Sequence, residues 1–224
     1  MMGLTCEPPA PLPPEPGKPA FTEIKLKVVK DALGDYMEGV HLSWAPPETI
    51  PVPISFYTLV RKMPGDSVFD VFTRSSGIPP EISTLEDFLE PQVFPKSDIN
   101  LSVIYYRIYA VDELGREGQL SDPCSLKLAP QPRNKDILSK DTCLHWESDI
   151  KGGVFSYAHI WNDNSGDTLT SSKELVFSAT DNPARFSACF PPEFHPLAPG
   201  KWHYALFVEI NETYSLKTGY FNVP

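Results

Sequence analysis

The chain has 224 residues, a formal net charge of -10 and an aromatic content of 12%. This length suits one or two domains, and the composition describes a globular chain that can bury a core. Nucleic acid and anionic lipid bind through lysine and arginine, so the negative charge argues against both partners. Twenty-five prolines and many short alternating runs predict an all-β fold.

The first twenty residues differ in composition from the rest of the chain. Seven prolines lie between Pro8 and Pro19, and few side chains there could pack. Residues 1–20 are therefore predicted to be an extended tether in the polyproline II conformation. A PxxP-type ligand at Pro11 to Pro14 is an alternative interpretation, although the flanking basic residue of such ligands is absent.

A cysteine lies just before this proline-rich stretch. Cys6, followed by a tether and then a β-sandwich, resembles the mature start of a bacterial lipoprotein. The resemblance implies lipidation of Cys6 and a location in the cell envelope, periplasmic or at the outer membrane. The usual leucine and small residue before the cysteine are replaced by Gly3 and Thr5. A plain thiol on a flexible arm, in a secreted protein, is the alternative.

Three segments then alternate apolar and polar residues as β-strands do. They are Gly39–Pro47, which contains Trp44, then Phe56–Lys62, and Ser102–Pro123, in which two strands are predicted on either side of a turn at Gly115 and Gly118. Together these segments resemble the fibronectin type III family over residues 21–128. The resemblance implies a sandwich of two β-sheets, and the corner tyrosine of the family would fall at Ile104.

The third segment also predicts which side chains face outward. Ile104, Tyr106 and Ile108 share one face and are predicted to be buried, so Tyr105, Arg107 and Tyr109 share the other. Loops at one end and exposed sheet surfaces carry recognition in such domains. We therefore predict that Tyr105, Arg107 and Tyr109, together with the loop Asp112–Gly118, bind another protein; a merely solvated sheet face is the alternative.

A polar linker is predicted over residues 129–140, followed by a second sandwich over residues 141–224. Six strand-like runs in this part are typical of an immunoglobulin-like β-sandwich. The last but one run places five apolar residues on one face, which we predict to be core: Trp202, Tyr204, Leu206, Val208 and Ile210. The fold class is thus all-β, with two tandem immunoglobulin-like or fibronectin type III sandwiches behind a proline-rich arm.

One strand of the second sandwich carries two very different faces. Val154, Ser156, Ala158 and Ile160 lie on one side, and Phe155, Tyr157, His159 and Trp161 lie on the other. If the aliphatic set is buried, Tyr157, His159 and Trp161 form an exposed aromatic platform suited to a sugar ring or a partner protein. If the aromatic set fills the core, no such platform exists.

Four cysteines permit three pairings. We predict a disulfide between Cys143 and Cys189, joining the two sheets of the second sandwich. A bond between Cys124 and Cys143 across the linker and free buried thiols are the alternatives.

The residues with catalytic or metal-binding chemistry form no recognisable motif. Cys143 and His145 lack a further zinc-binding signature, and the run Asn162–Asp167 suits an ordinary turn better than a calcium loop. Glu86 and Asp87 are interpreted as solvated loop residues or the start of a helix. We predict no enzyme activity, no cofactor and no metal.

The sequence therefore predicts a non-catalytic protein-binding or scaffolding module of the cell envelope. Its predicted partner is another protein at the cell surface or in the periplasm, with a glycan as a further possibility. The alternative function is a carbohydrate-binding accessory module that uses the aromatic face of the second sandwich.

Overall fold

A computed structural model describes residues 11–73, 76–96, 102–137, 143–148, 154–162, 168–175, 184–189, 197–210 and 212–223. Fourteen strands are present in these ranges, and the only helical element among them is a single 3-10 turn at Pro91–Val93. Within the same residues, no helix is long and apolar enough to cross a bilayer. The predicted all-β fold class is confirmed.

Seven strands build the first sandwich. They are β1 (Ala20–Lys30), β2 (Tyr36–Ala45), β3 (Ile54–Lys62), β4 (Asp70–Val71), β5 (Thr84–Phe88), β6 (Ser102–Asp112) and β7 (Cys124–Leu128). One sheet has the order β1-β2-β5, and the opposing strands have the order β4-β3-β6-β7. Neighbouring strands within this sandwich are antiparallel.

The core of the first sandwich follows the alternation of the sequence. The inward residues of β2 and β6, among them Leu42, Trp44, Ile104 and Ile108, are all 3% exposed or less. They form one cluster with the inward residues of β3. The predicted buried face of β6 is therefore confirmed. The strand after β6, however, begins at Cys124, beyond the predicted run, because residues 113–123 form a loop.

A charged group lies inside this core and corrects the interpretation of Asp87. The Asp87 side chain is 1% exposed, and it accepts hydrogen bonds from the Arg61 guanidinium at 2.6 and 2.7 Å. The buried Tyr106 hydroxyl donates to the same carboxylate at 2.6 Å. Burial raises the pKa of Asp87, and the bonds from Tyr106 and Arg61 oppose that rise. Asp87 thus joins the two sheets, whereas its neighbour Glu86 lies at the surface and pairs with Lys27.

Seven further strands repeat this arrangement in the second sandwich. They are β8 (Arg133–Ile137), β9 (Cys143–Ser148), β10 (Val154–Asn162), β11 (Thr168–Leu175), β12 (Ala184–Cys189), β13 (Gly200–Ile210) and β14 (Thr213–Val223). The order β12-β9-β8 corresponds to β5-β2-β1, and the order β11-β10-β13-β14 corresponds to β4-β3-β6-β7. β8 lies within the segment that we expected to be a linker.

The predicted core face of β13 is buried. Trp202, Tyr204, Leu206 and Val208 are 5% exposed or less, and the Trp202 indole donates to the carbonyl oxygen of Ala198 at 2.8 Å. The side chain of Ile210 lies outside the described residues. On the opposite face of the same strand, Ala205 and His203 are also buried. The middle of β13 is therefore covered on both faces, while Lys201 and Glu209 near its ends are exposed.

The two sandwiches share one eight-stranded sheet, because β14 pairs in parallel with β7. The pairing joins Thr213 to Lys127 and Tyr214 to Leu128, and the N–H of Ala129 donates to the carbonyl oxygen of Tyr214 at 2.7 Å. The sheet therefore continues from one sandwich into the other through this short parallel ladder.

A buried carboxylate strengthens this junction. Glu38 of β2 is 5% exposed and accepts hydrogen bonds from the backbone N–H of Thr218 at 2.8 Å and from the Gln131 amide at 3.3 Å. The Gln131 amide also donates to the carbonyl oxygen of Leu216 at 2.9 Å. These bonds connect β2 of the first sandwich to β14 of the second.

Candidate binding surfaces

The predicted outward residues of β6 lie together on the outer face of the first sandwich. Tyr105, Arg107 and Tyr109 are partly exposed, while the residues between them are fully buried. Across the ladder, Tyr105 stands opposite Lys62 and Arg107 opposite Val60 of β3. The sheet register therefore makes one continuous surface from residues that are far apart in the sequence.

Cations lie over the aromatic rings of this surface. The Lys62 ammonium is 5.7 Å from the centre of the Tyr105 ring, and the Arg107 guanidinium is 5.8 Å from the centre of the Phe69 ring. The Arg107 Nε also donates to the carbonyl oxygen of Ser121 at 3.1 Å, which holds its orientation. We call Lys62, Phe69, Tyr105, Arg107 and Tyr109 the tyrosine–arginine face.

Exposed aliphatic residues border the tyrosine–arginine face. Val71 of β4 pairs with Val60 and is 63% exposed, and Val68 in the preceding loop is 61% exposed. The combination of tyrosine, arginine and exposed apolar groups is enriched in protein interfaces. Sequence reasoning missed the contribution of residues 68–71, because a two-residue strand has no detectable alternation.

The corresponding face of the second sandwich is used differently. Ala158 and Ile160 of β10 are fully buried, so His159 and Trp161 point to the outer face, as the first of our two interpretations predicts. Trp161, however, packs edge to face against Tyr36 of the first sandwich, with ring centres 4.8 Å apart. Its other side stacks on His203 at 5.6 Å.

Trp161 therefore belongs to the contact between the sandwiches and is not part of an open platform. His159 lies beside Phe207, with ring centres 5.9 Å apart, and burial lowers the pKa of His159. The side chain of Tyr157 lies outside the described residues. The carbohydrate-binding interpretation depended on three displayed rings, and the geometry of Trp161 does not favour it.

The proline-rich arm contacts the predicted recognition loop at Arg116 and Gly118, while Leu114 at the tip of the loop stays exposed. Arg116 donates to the carboxylate of the buried Asp112 through Nε at 2.9 Å and Nη2 at 2.7 Å. The same guanidinium donates to the carbonyl oxygens of Pro13 and Pro14. Residues 13–19 thus contact the first sandwich, and the expectation that few side chains of the arm pack does not hold for Pro16 and Pro19, which are buried.

An apolar cleft of about 610 Å³ lies at the open side of the first sandwich, beside β5. Its walls include Phe72, Ile78, Ile82, Leu85 and Phe88, together with His41 and Glu86. Much of its wall comes from residues 72–73 and 77–82, between β4 and β5. The sequence contains no periodic signal for this, so the prediction missed it.

The cysteines have separate environments. Cys124 is a free thiol packed against the first core, and burial raises its pKa to about 12. A disulfide between Cys124 and Cys143 is therefore not formed. Cys143 and Cys189 are opposed residues on the adjacent strands β9 and β12, so a bond between them would lie within one sheet and not between two. Their side chains, and all of Cys6, lie outside the described residues.

Among the described residues, no three histidine, cysteine or acidic side chains converge on a metal site. The loop residues 163–167, which were weighed as a calcium site, lie outside the described part of the chain.

Comparisons with known proteins add little to this picture. No family model matches the chain, and no curated protein matches it. Among solved structures, it is similar to the FN1-FN3 domains of chicken CNTN1, with 15% identity and a TM-score of 0.37, over 93% of this chain and 67% of that chain. A likeness at this level assigns no ligand or partner. The repeated strand order described above is what identifies two tandem fibronectin type III-like β-sandwiches.

Proposed function

We propose that this protein is a non-catalytic protein-binding module, with the tyrosine–arginine face as its recognition surface. The observation that supports the proposal is the placement of Tyr105, Arg107 and Tyr109 on one partly exposed face, with cations held over two of its aromatic rings. Aromatic and arginine side chains bury large areas at low entropic cost and dominate the binding energy of many interfaces.

The second part of the proposal is a scaffolding role for the joined pair of sandwiches. The eight-stranded sheet and the bonds to Glu38 set the direction of the second sandwich relative to the tyrosine–arginine face. A partner bound to this face would therefore be held at a defined angle to whatever the second sandwich contacts.

We further propose that Cys6 carries a lipid anchor in a bacterial cell envelope. Residues 13–19 are docked on the first sandwich, so the chain between Cys6 and Pro13 spans no more than about 25 Å. A lipid on Cys6 would hold the loop end of the first sandwich close to the membrane. Mass spectrometry of the Cys6 peptide from the native source tests this, and an unmodified peptide from a soluble fraction would refute it.

The binding proposal is tested by partner capture. The native chain and a Tyr105→Ser/Tyr109→Ser variant are immobilised and exposed to envelope extract of the native source. We expect the variant to lose the proteins retained by the native chain, since two aromatic contacts are removed. Tyr220→Ser is the matched control, because Tyr220 is also an exposed strand tyrosine with a lysine over its ring. Equal capture by the native chain and the double variant would make the assignment wrong.

A further inference from the structure

The proline-rich arm is held by a site that is built for an extended backbone. Arg116 supplies a guanidinium whose position is fixed from behind by Asp112, the side chain of which is fully buried. Asp112 also accepts hydrogen bonds from the backbone N–H groups of Leu114 and Arg116, both at 2.9 Å. A guanidinium held in this way presents its remaining N–H groups in a constant direction.

These N–H groups can donate to the carbonyl oxygens that a polyproline II segment exposes. Such a segment makes no internal hydrogen bonds, so its carbonyl oxygens are available to donors. Arg116 donates to the carbonyl oxygens of Pro13 and Pro14, and the backbone N–H of Gln119 donates to that of Pro16 at 3.3 Å. The loop between β6 and β7 thus donates hydrogen bonds to three carbonyl oxygens of the arm.

The shape of the site also requires close approach of the two backbones. A Cβ atom on Gly118 would lie 2.6 Å from the carbonyl oxygen of Pro16, so only glycine fits. Pro16 and Pro19 are buried, and the N–H of Gly17 donates at 3.0 Å to the carbonyl oxygen of Thr49 in the loop between β2 and β3. The arm therefore lies in a groove with walls from two loops.

We propose that this groove, formed by Thr49, Arg116, Gly118 and Gln119, is a recognition site for proline-rich segments, that the arm is its resident ligand, and that the groove binds the same proline-rich sequence when another molecule presents it. The ligand is recognised through its backbone carbonyl oxygens and by the low entropic cost of ordering consecutive prolines. The site is separate from the tyrosine–arginine face, so each proposal can fail without the other.

The test uses the full chain with its own ligand weakened. In this receptor, Pro13, Pro14 and Pro16 are replaced by serine, and a labelled peptide of residues 11–19 is titrated by fluorescence anisotropy. We expect saturable binding. The unaltered chain should bind the peptide at least about tenfold more weakly, because its covalently linked arm competes at high effective concentration. A peptide with serine in place of the three prolines keeps the carbonyl oxygens but loses the low ordering cost, so it should bind at least about tenfold more weakly.

Two receptor variants identify the site. Arg116→Ala and Gly118→Ala, each made in the arm-substituted chain, should weaken peptide binding at least about tenfold, the first by removing charge-assisted hydrogen bonds and the second by steric contact. Gly118→Ala keeps the proposal testable if the loss of Arg116 destabilises the fold around Asp112. Asp122→Ala is the control, since Asp122 contacts the arm only through an exposed pair with Lys18.

The proposal is overturned if the arm-substituted chain, folded by circular dichroism, shows no saturable binding. It is equally overturned if Gly118→Ala binds the peptide as tightly as its parent, or if the serine peptide binds as tightly as the native one.

Discussion

The outer faces of the two four-stranded halves of the common sheet both carry aromatic residues but face different surroundings. In the first sandwich, Tyr105 and Tyr109 stay partly exposed. In the second sandwich, Trp161 and His203 contact Tyr36 of the first. Two similar alternating strands therefore give a candidate recognition surface in one case and an interdomain contact in the other.

The difference follows from the pairing of β14 with β7. Because the sheet continues through this pair, the outer face of the second sandwich comes to lie beside β1 and β2 of the first. On the outer face of the first sandwich, Tyr105 and Tyr109 stay partly exposed. An aromatic strand face in the sequence thus indicates a surface suited to contacts, and the tertiary structure decides whether another domain of the chain makes them.

The largest effect is expected from a change in the core of the first sandwich, at the buried carboxylate of Asp87. Asp87→Ala leaves the Arg61 guanidinium and the Tyr106 hydroxyl without their shared acceptor. We expect the free energy of unfolding to fall by about 3–5 kcal/mol in urea titrations. Glu86→Gln, on the next residue but at the surface, should cost less than about 1 kcal/mol. Equal costs for the two variants would show that the buried cluster does not hold the sheets together.

Next in size is a direct comparison of the two outer faces. Trp161→Ala should lower the free energy of unfolding by about 2 kcal/mol, because it removes the contact with Tyr36 and leaves a gap between the sandwiches. Tyr105→Ser should change it by less than about 1 kcal/mol, since that side chain is partly exposed at the sheet surface. Thermal denaturation of both variants measures the two losses of stability. A larger loss for Tyr105→Ser than for Trp161→Ala would contradict the prediction.

A smaller effect is expected at the junction itself. Glu38→Ala removes the acceptor for the Thr218 N–H and one of the two acceptors of the Gln131 amide, so unfolding should become easier by about 1–2 kcal/mol. Small-angle scattering should show a larger radius of gyration as the sandwiches move more independently. Glu38→Gln keeps an acceptor oxygen and serves as the control. An unchanged radius in the alanine variant would show that the sheet pairing alone fixes the two sandwiches.

The smallest effect concerns reactivity and leaves stability unchanged. Because burial raises the pKa of Cys124 to about 12, the reactive thiolate of the folded protein is nearly absent at pH 8 and increases only as the pH approaches that value. Iodoacetamide should therefore modify Cys124 much more slowly in the native protein than in urea. Rapid modification of Cys124 in the native protein at pH 8 would contradict the burial of this thiol.

Counting the reactive thiols in denatured, unreduced protein tests the predicted disulfide between Cys143 and Cys189.

The amino-acid sequence alone determined the fold class and much of the strand set. Alternation with period two marks a half-buried strand wherever it runs for several residues, so β2, β3, β6, β10 and β13 could be predicted from their side chains. The outward placement of Tyr105, Arg107 and Tyr109 followed from the same rule. Short strands such as β4, and β8 within the predicted linker, escaped it because they are too short or too polar for alternation to be visible.

Only the tertiary structure decided which of these residues meet. The acidic pair Glu86 and Asp87 is ambiguous in sequence, because burial of the second carboxylate depends on Arg61 arriving from the opposite sheet. The proline-rich arm reads as a tether, because its ligand-binding groups are carbonyl oxygens, which every residue has. Its docking depends on the Arg116 guanidinium, more than a hundred residues away, and on backbone hydrogen bonds with Thr49 and Gln119. Local patterns of polarity determine strands, whereas partners distant in the chain are chosen by topology and register, which no local pattern contains.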